Sequence, residues 1–255
     1  MQTTGNTILI TGGGSGIGRA LAEAFLARGN EVIIAGRREA LLKQVVAANP
    51  GLHYTVLDTS DAQDRQQVVE QLIERHPALN TVIHSAGIMR GESLRAGPTE
   101  LDATVATNLL GPIHLDGLLL PHFLTRAHAA IVTVSSGLAF VPLALTPSYC
   151  ATKAAVHSYS QSLRYQLKDT AVKVHELVPP YVRTELMGQR QANDPHAMPL
   201  AEFIDEVMAI FERSPDAEEI LVERVKPLRF AEANGGYGPF FTNFNDQMAA
   251  ARAGE

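Results

Sequence analysis

Apolar residues recur along this chain in two alternating rhythms. Short runs rich in isoleucine and valine, TILIT at 7–11, EVIIAG at 31–36 and HYTVLD at 53–58, are separated by segments of helical period at Ala20–Arg28 and Ala40–Ala48. The alternation continues through Val68–Arg75, the run NTVIHSAG at 80–87, a long helical stretch from Thr99 to Leu124, and AAIVTVSS at 129–136. A helix over Ser148–Leu167 and the run AVKVHELV at 171–178 follow. Strands that alternate with helices imply βαβ units, so the pattern predicts an α/β fold: a doubly wound, Rossmann-type parallel sheet of about seven strands with helices on both faces. A single domain spans residues 1–255 on this reading, without repeats or a linker.

Beyond Pro179 the rhythm breaks. A Pro-rich and polar stretch at Met187–Pro199 leads into an amphipathic helix, Leu200–Arg213, and EILVERV at Glu219–Val225 supplies a seventh strand. An insertion at this place is either a surface loop or a lid over substrate at about 187–213. Its position beside the carboxyl ends of the strands favours the lid. The tail from Lys226 to Glu255, which carries Gly235, Gly236, Gly238 and Pro239, reads as irregular apart from a short helix at Asn245–Arg252.

Composition narrows the function classes. With 45% hydrophobic and 19% charged residues the chain has the make-up of a folded globular protein rather than a disordered one. A formal charge of -6 opposes a broad nucleic-acid surface, so any bound phosphate is met locally. The lone cysteine, Cys150, excludes an internal disulfide and fits a reducing, cytoplasmic setting. No apolar run approaches the roughly 18 residues of a membrane span, and the opening MQTTGNTILITGGG lacks the basic region of a signal peptide and reads as a first strand.

Two local patterns carry chemistry. Thr11-Gly12-Gly13-Gly14-Ser15-Gly16-Ile17-Gly18 joins the first strand to the first helix, where glycines permit a tight turn and let backbone N–H groups approach a dinucleotide pyrophosphate. Its spacing is T-G-x-x-x-G-x-G. Tyr149 and Lys153, four residues apart, share one face of a predicted helix. A nearby ammonium favours phenolate and would draw the tyrosine down from about 10 toward working pH, where it can give and take a proton. Ser135 and Ser136 end the fifth strand, from which a hydroxyl can reach the same substrate oxygen. Asn108, followed by Gly111 and Pro112, marks a bend in the long fourth helix and a place for a water.

Together these residues resemble the classical branch of the short-chain dehydrogenase/reductase family. The resemblance covers nearly all of the first 185 residues: TGGGSGIG, Asp58 after the third strand, HSAG at 84–87, Asn108, Ser136, Tyr149-Cys-Ala-Thr-Lys153 and Pro179–Thr184. It implies an NAD(P)-dependent oxidoreductase that moves a hydride between a nicotinamide and a carbonyl or alcohol carbon. Tyr149 would be the acid/base, Ser136 its partner on the substrate oxygen, Lys153 the ligand of the nicotinamide ribose, and Asn108 the holder of a relay water. Gly12, Gly14, Ser15, Gly16, Ile17 and Gly18 would hold the pyrophosphate, Asp58 the adenine, and Thr184 the carboxamide. Ala86, Gly87, Pro179 and Val182 would complete the nucleotide site. A homodimer or homotetramer, built partly on the helices at Thr99–Leu124 and Ser148–Leu167, belongs to the same expectation.

Departures from the family pattern are His84-Ser85 where the family commonly reads Asn-Asn, and Pro180 where it reads Gly. Neither removes a catalytic atom; Ser85 bears on local stability and Pro180 on the stiffness of the chain path. After the second strand stand Gly36, Arg37 and Arg38 in place of the carboxylate that selects NAD. Arg37 can meet a 2′-phosphate, which predicts NADP as the preferred cofactor with NAD possible; the other reading is that it stacks on adenine. Arg38 either assists or opens the next helix. Leu138, Phe140, Pro142, Leu143, Tyr181 and Met187 are candidates for a partly apolar substrate side. No histidine shows metal-ligand spacing such as H-E-x-x-H, so no metal is expected. Two other functions stay open on this fold, a sugar-nucleotide epimerase or dehydratase and a nucleotide-binding regulator without catalysis.

Overall fold

The structure, a computed structural model, describes residues 1–97 and 101–253. Thr99, where the long helix was expected to begin, and Gly254 and Glu255 lie outside the described residues. Seven parallel strands form one sheet in the order β3-β2-β1-β4-β5-β6-β7. They are β1 (Thr7–Thr11), β2 (Glu31–Gly36), β3 (Leu52–Val56), β4 (Leu79–His84), β5 (Ala129–Val134), β6 (Val172–Leu177) and β7 (Glu219–Ile220). The chain leaves β1 toward one edge and returns at β4 to build toward the other. Between those two strands lies the crevice in which an open α/β sheet binds its ligand.

Strand side chains alternate between faces, and both faces are covered, so the strands are apolar at nearly every position. Ile8, Ile10, Val32, Ile34, Ile83 and Val132 face one layer, packed with Leu21 and Phe25 of α1 (Gly16–Leu26) and Leu42 and Val45 of α2 (Glu39–Ala48). Leu9, Ile33, Val82, Ile131 and Val174 face the other. There they meet α3 (Ala62–Arg75), α5 (Gly111–Phe123) and α6 (Pro147–Gln166) through Leu72, Leu115, Leu119, Phe123 and Leu163. No helix among the described residues is long and apolar enough to cross a membrane.

The fourth crossover is not one regular helix. It begins with α4 (Leu101–Val105), widens into a π-helical turn at Ala106–Leu110, and continues as α5. A π-turn is a one-residue bulge in the helical ladder, found often at functional sites. It forms where Asn108 and the following Gly111-Pro112 weaken the regular ladder, and it turns Asn108 into the protein with 1% of its surface exposed.

Past β6 the structure departs from the sequence pattern in three places. The segment at 187–213 divides: a short α7 (Gln189–Asn193) stands near the strand ends, while α8 (Leu200–Arg213) buries Phe203, Ile204, Val207, Met208 and Phe211 in the core beside α1. The amphipathic face of α8 is thus a packing face. The last strand stops at Ile220, and Glu223–Val225 turn into a 3-10 helix instead of extending it. The tail, expected to be irregular apart from a short helix at Asn245–Arg252, holds α9 (Lys226–Arg229) and a 17-residue α10 (Tyr237–Ala253) that contains the expected helix and begins eight residues before it. Gly238 and Pro239 fall in the first turn of α10, where a proline lacks no needed donor and therefore starts a helix rather than breaking it.

Phe211 of α8 is buried against Phe25 of α1, their ring centroids 6.2 Å apart. Phe211→Ala should cost about 3–5 kcal/mol in chemical denaturation, as expected for a buried aromatic that leaves a cavity. A loss below about 1 kcal/mol, the range of surface changes, would place α8 outside the core.

Candidate active site

A cavity of about 440 Å³ opens at the carboxyl ends of the strands, over the place where the strand order reverses. Its first wall is the β1–α1 turn, with Gly12, Gly14, Ser15, Gly16 and Ile17; Arg37, Arg38 and Asp58 stand at the β2 and β3 ends. Ala86 and Gly87 follow β4, and Ser136, Tyr149 and Lys153 form the inner end. Pro179, Val182 and Thr184 close the side beyond β6. Gly18, expected among the nucleotide ligands, does not line the cavity. A Cβ on Gly18 would sit 2.6 Å from the Gly12 carbonyl oxygen, so this glycine lets α1 pack on β1. Gly12 has φ +69°, and a Cβ there would lie 2.8 Å from the Ala86 backbone.

The turn suits a phosphate. Ser15 is the N-cap of α1, yet its side chain makes no capping hydrogen bond, leaving the first-turn N–H groups directed at the cavity. Instead, Arg38 Nη2 donates to Ser15 Oγ at 3.3 Å, which brings a guanidinium to the rim of the turn. Burial pushes the Asp58 carboxyl up, but Ser60 N–H and O–H bonds at 2.9 and 2.6 Å, with the Arg37 charge, hold it below the usual carboxylate range. Asp58 is therefore ionised and paired with its own loop, beside Arg37.

Tyr149 and Lys153 project from one face of α6, buried at 6% and 5% exposure. Lys153 Nζ donates to the Val134 carbonyl at 2.7 Å and lies 5.5 Å from the centre of the Tyr149 ring. Burial draws Lys153 down to about 8. Burial also raises Tyr149 above an ordinary phenol, an effect only partly offset by the Ser136 hydroxyl. The sequence had predicted the opposite direction for Tyr149, from the nearby ammonium. Removing the phenolate from water dominates here, and the group stays a neutral phenol. Ser136, extended at the end of β5, accepts from Leu138 N–H at 3.1 Å, which fixes its hydroxyl toward the phenol. Asn108 is held from both sides. Its Oδ1 accepts from Ile88 N–H at 2.9 Å, and its Nδ2 donates to the Ile88 carbonyl at 2.9 Å and to Thr152 Oγ1 at 3.3 Å. It does not reach the main cavity, but with Lys153 it borders a second, smaller one.

The model of the family described as short chain dehydrogenase matches residues 6–195. The oxidoreductase DltE of Bacillus subtilis is 40% identical over 253 residues, covering 97% of this chain and 99% of that protein. L-xylulose reductase of Caenorhabditis elegans is 30% identical over 217 residues, 80% of this chain and 86% of that one. Among solved structures, a short-chain dehydrogenase of Streptomyces avermitilis superposes with a TM-score of 0.82 at 22% identity, covering all of both chains. One from Sphingobium yanoikuyae, in complex with NADPH, gives 0.76 at 24% identity over 93% and 95% of the two chains. The chain belongs to the short chain dehydrogenase family. It is an NAD(P)-dependent oxidoreductase.

Within this short chain dehydrogenase the residues expected to line the substrate side do not all gather in one place. Leu138, Leu143 and Met187 pack around Tyr149 and Cys150, but so do Met89, Leu145 and Leu186, together with Phe244 and Met248 of α10. Phe140 turns away to meet His157 edge-on at 4.7 Å, and the Tyr181 hydroxyl donates to Asp194 at 3.0 Å. Pro142 contributes its carbonyl, which accepts from Asn245 Nδ2 at 3.1 Å, while Asn245 Oδ1 accepts from Ala144 N–H at 2.7 Å. Asn245 thereby clamps α10 over the apolar side of the site. The only hint in the sequence was the aromatic run GPFFTNF at 238–244, read there as tail. Away from the cavity, ligand atoms of His157, Glu176 and Glu219 lie within 4.8 Å of one another. Arg229 already clasps Glu219 with Nε at 2.8 Å and Nη2 at 2.9 Å, which supplies the positive charge that this cluster requires.

Lys153 loses its proton near pH 8 in the fold and near 10.5 in the unfolded chain. Unfolding takes up a proton between those values, so the cost of burying this lysine is full below pH 8 and disappears as pH rises to about 10.5. Lys153→Met should therefore be more stable than wild type at pH 7, by about 1–3 kcal/mol after the lost bond to Val134, with the gap closing across that window. A Met variant that is less stable at pH 7, or whose difference ignores pH, would contradict the burial of an ammonium here.

Proposed function

We propose that this short chain dehydrogenase interconverts a carbonyl and an alcohol on a small, partly apolar substrate, with NADP preferred over NAD. The observation that carries this reading is the meeting of Tyr149, Ser136 and Lys153 in one buried corner of the cavity. The bound nicotinamide would supply or accept the hydride. Tyr149, held as a neutral phenol, gives its proton to the substrate oxygen as negative charge develops there. Ser136 donates a hydrogen bond to the same oxygen. Lys153, poised near neutrality, returns a proton toward Tyr149 and would hold the ribose with its remaining N–H groups. Gly12 to Ile17 and the open first turn of α1 fit the pyrophosphate, because Gly12, Gly14 and Gly16 carry no Cβ and the Ser15 side chain makes no capping bond to the turn.

Relatives support the reaction class, since one of them is a sugar reductase by name. Solved neighbours carry NADPH in one case and NAD in another, so the fold admits both cofactors and the choice rests on local residues. Here Gly36 leaves no carboxylate to repel a 2′-phosphate, and Arg37 and Arg38 flank the position. Met89, Leu143, Phe244 and Met248 favour a substrate with an apolar part. The same reading includes a homodimer or homotetramer acting in the cytoplasm.

Purified protein given ketones, aldehydes and alcohols, followed by nicotinamide absorbance, should turn over at least one of them. Tyr149→Phe should then lose at least about a hundredfold in kcat while nucleotide affinity survives, because only the transferable proton is removed. A Phe variant that keeps most of its turnover would overturn the assignment.

Arg37→Ala separates the cofactors. Hydrogen bonds to a charged group contribute about 1.5–3 kcal/mol, so kcat/KM with NADPH should fall about ten- to hundredfold and change little with NADH. Equal losses with both would mean that Arg37 stacks on adenine instead of reading the phosphate.

A further inference from the structure

Behind the Tyr149–Lys153 corner lies a second cavity of about 10 Å³, at the lower bound for a single water. Lys153 and Asn108 form part of its wall, and His84 and Tyr159 form another part, with Thr133 between them. His84 is the last residue of β4, opposite Thr11 on one side and Thr133 on the other. Its side chain is buried, and Nε2 lies 2.7 Å from Asp116 Oδ1 on α5. The other oxygen of the same carboxylate accepts from the Tyr159 hydroxyl of α6 at 3.0 Å. Asp116 is 1% exposed, whereas Tyr159 is half-buried and reaches toward the protein surface.

One atom of this cluster has no partner. His84 Nδ1 is buried and makes no hydrogen bond to any group among the described residues. An unsatisfied buried nitrogen costs about 1–3 kcal/mol, and such atoms call for an explanation. Asp116 fixes the tautomer: with Nε2–H donating to the carboxylate, Nδ1 carries a lone pair, as in a histidine that a carboxylate orients for proton transfer. The polar groups facing His84 come from each element around it: Asp116 on α5, Lys153 and Tyr159 on α6, Thr133 on β5 and Asn108 on the π-turn.

We propose that the small cavity holds one water that links Lys153 Nζ to His84 Nδ1, making the His84–Asp116–Tyr159 cluster the internal end of the proton path that serves Tyr149. This inference rests on the oxidoreductase reading above and adds residues that act through Lys153 without touching substrate. In the reducing direction the Tyr149 O–H bond breaks as the substrate O–H bond forms. Lys153 replaces the proton on Tyr149, the cavity water replaces that of Lys153, and His84, which has first taken a proton from solvent at Nδ1 and is held as an imidazolium by Asp116, replaces that of the water and returns to its Nε2–H form. In the oxidising direction each transfer runs backward, and the proton taken up at Nδ1 passes to solvent before the next turnover. No electron moves along this path. Tyr159, hydrogen-bonded to Asp116 and partly exposed, marks its outer end.

The test variant is His84→Gln, whose amide can still donate to Asp116 but presents no base to the cavity. With the best substrate, kcat should fall about tenfold and its solvent deuterium isotope effect should rise, while KM, nucleotide affinity and melting temperature stay near wild type. A variant with wild-type kcat and isotope effect would reduce His84 to a structural residue and overturn the proposal. A second readout needs no turnover. In ¹⁵N-histidine-labelled protein, His84 should appear as the Nε2–H tautomer, and its Nδ1 resonance should move in Lys153→Met, which removes the other end of the water bridge. An Nδ1 resonance indifferent to Lys153→Met would also overturn the link, and these spectra decide alone if His84→Gln does not fold. Turnover that Tyr149→Phe abolishes and His84→Gln spares would leave the oxidoreductase reading intact and reject only the relay.

Discussion

The hydrogen bond from Lys153 Nζ to the Val134 carbonyl is the contact on which the site depends. It anchors an ammonium at the carboxyl end of β5, an interior strand, just before Ser136. Burial draws this lysine to about 8, so close to physiological pH the group can both hold and release a proton. The same burial keeps Tyr149 protonated. Two side chains on successive turns of one helix thus share an environment whose effect is to make each neutral more readily than it would be in water. That environment is costly for stability and useful for proton transfer, the usual relation between a strained site and a stable scaffold.

The scaffold sets this corner by two independent routes. From the sheet side, parallel strands with both faces covered fix the heights of Thr11, His84, Val134 and Leu177, because Thr11 pairs with His84, His84 with Thr133 and Val134 with Leu177, beyond the register shift at Thr7–Ile8. From the helix side, α6 carries Tyr149, Lys153 and Tyr159 past the strand ends, while the π-turn rotates Asn108 inward to grip Ile88 and Thr152. The β4–α4 connection is pinned by Asn108, and the β5–α6 connection by Ser136 and the Asn245 clamp. The cavity between them is therefore shaped by polar side chains that tie one loop backbone to another.

Much of this was legible in the sequence, for physical reasons that can be named. Short apolar runs and period-3.6 patterns located the first six strands and the helices between them, since burial on both sheet faces leaves few polar positions in TILIT or AAIVTV. Asn108 with Gly111 and Pro112 announced a bend, because those residues cannot all sit in a regular helix. The rest depended on tertiary contacts. An amphipathic pattern at Leu200–Arg213 shows that one face is buried but not against what, and α8 turned out to pack on α1. Gly238 and Pro239 suggest an irregular chain by composition, yet their place in the first turn of α10 makes them compatible with a helix that covers Tyr149 through Phe244 and Met248. The direction for Tyr149 was misjudged because spacing shows a neighbouring charge and says nothing about exclusion of water. His84 and Asp116 are 32 residues apart, and only the packing of α5 on β4 brings them together.

A direct titration of Lys153 tests the central claim. With ¹³C- or ¹⁵N-labelled lysine and Lys153→Met to assign the resonance, the side chain should titrate near 8, well below the other lysines. A midpoint near the ordinary value of about 10.5 would mean that the ammonium is solvated, and the account of a buried, near-neutral proton donor pair at Tyr149 and Lys153 would fail.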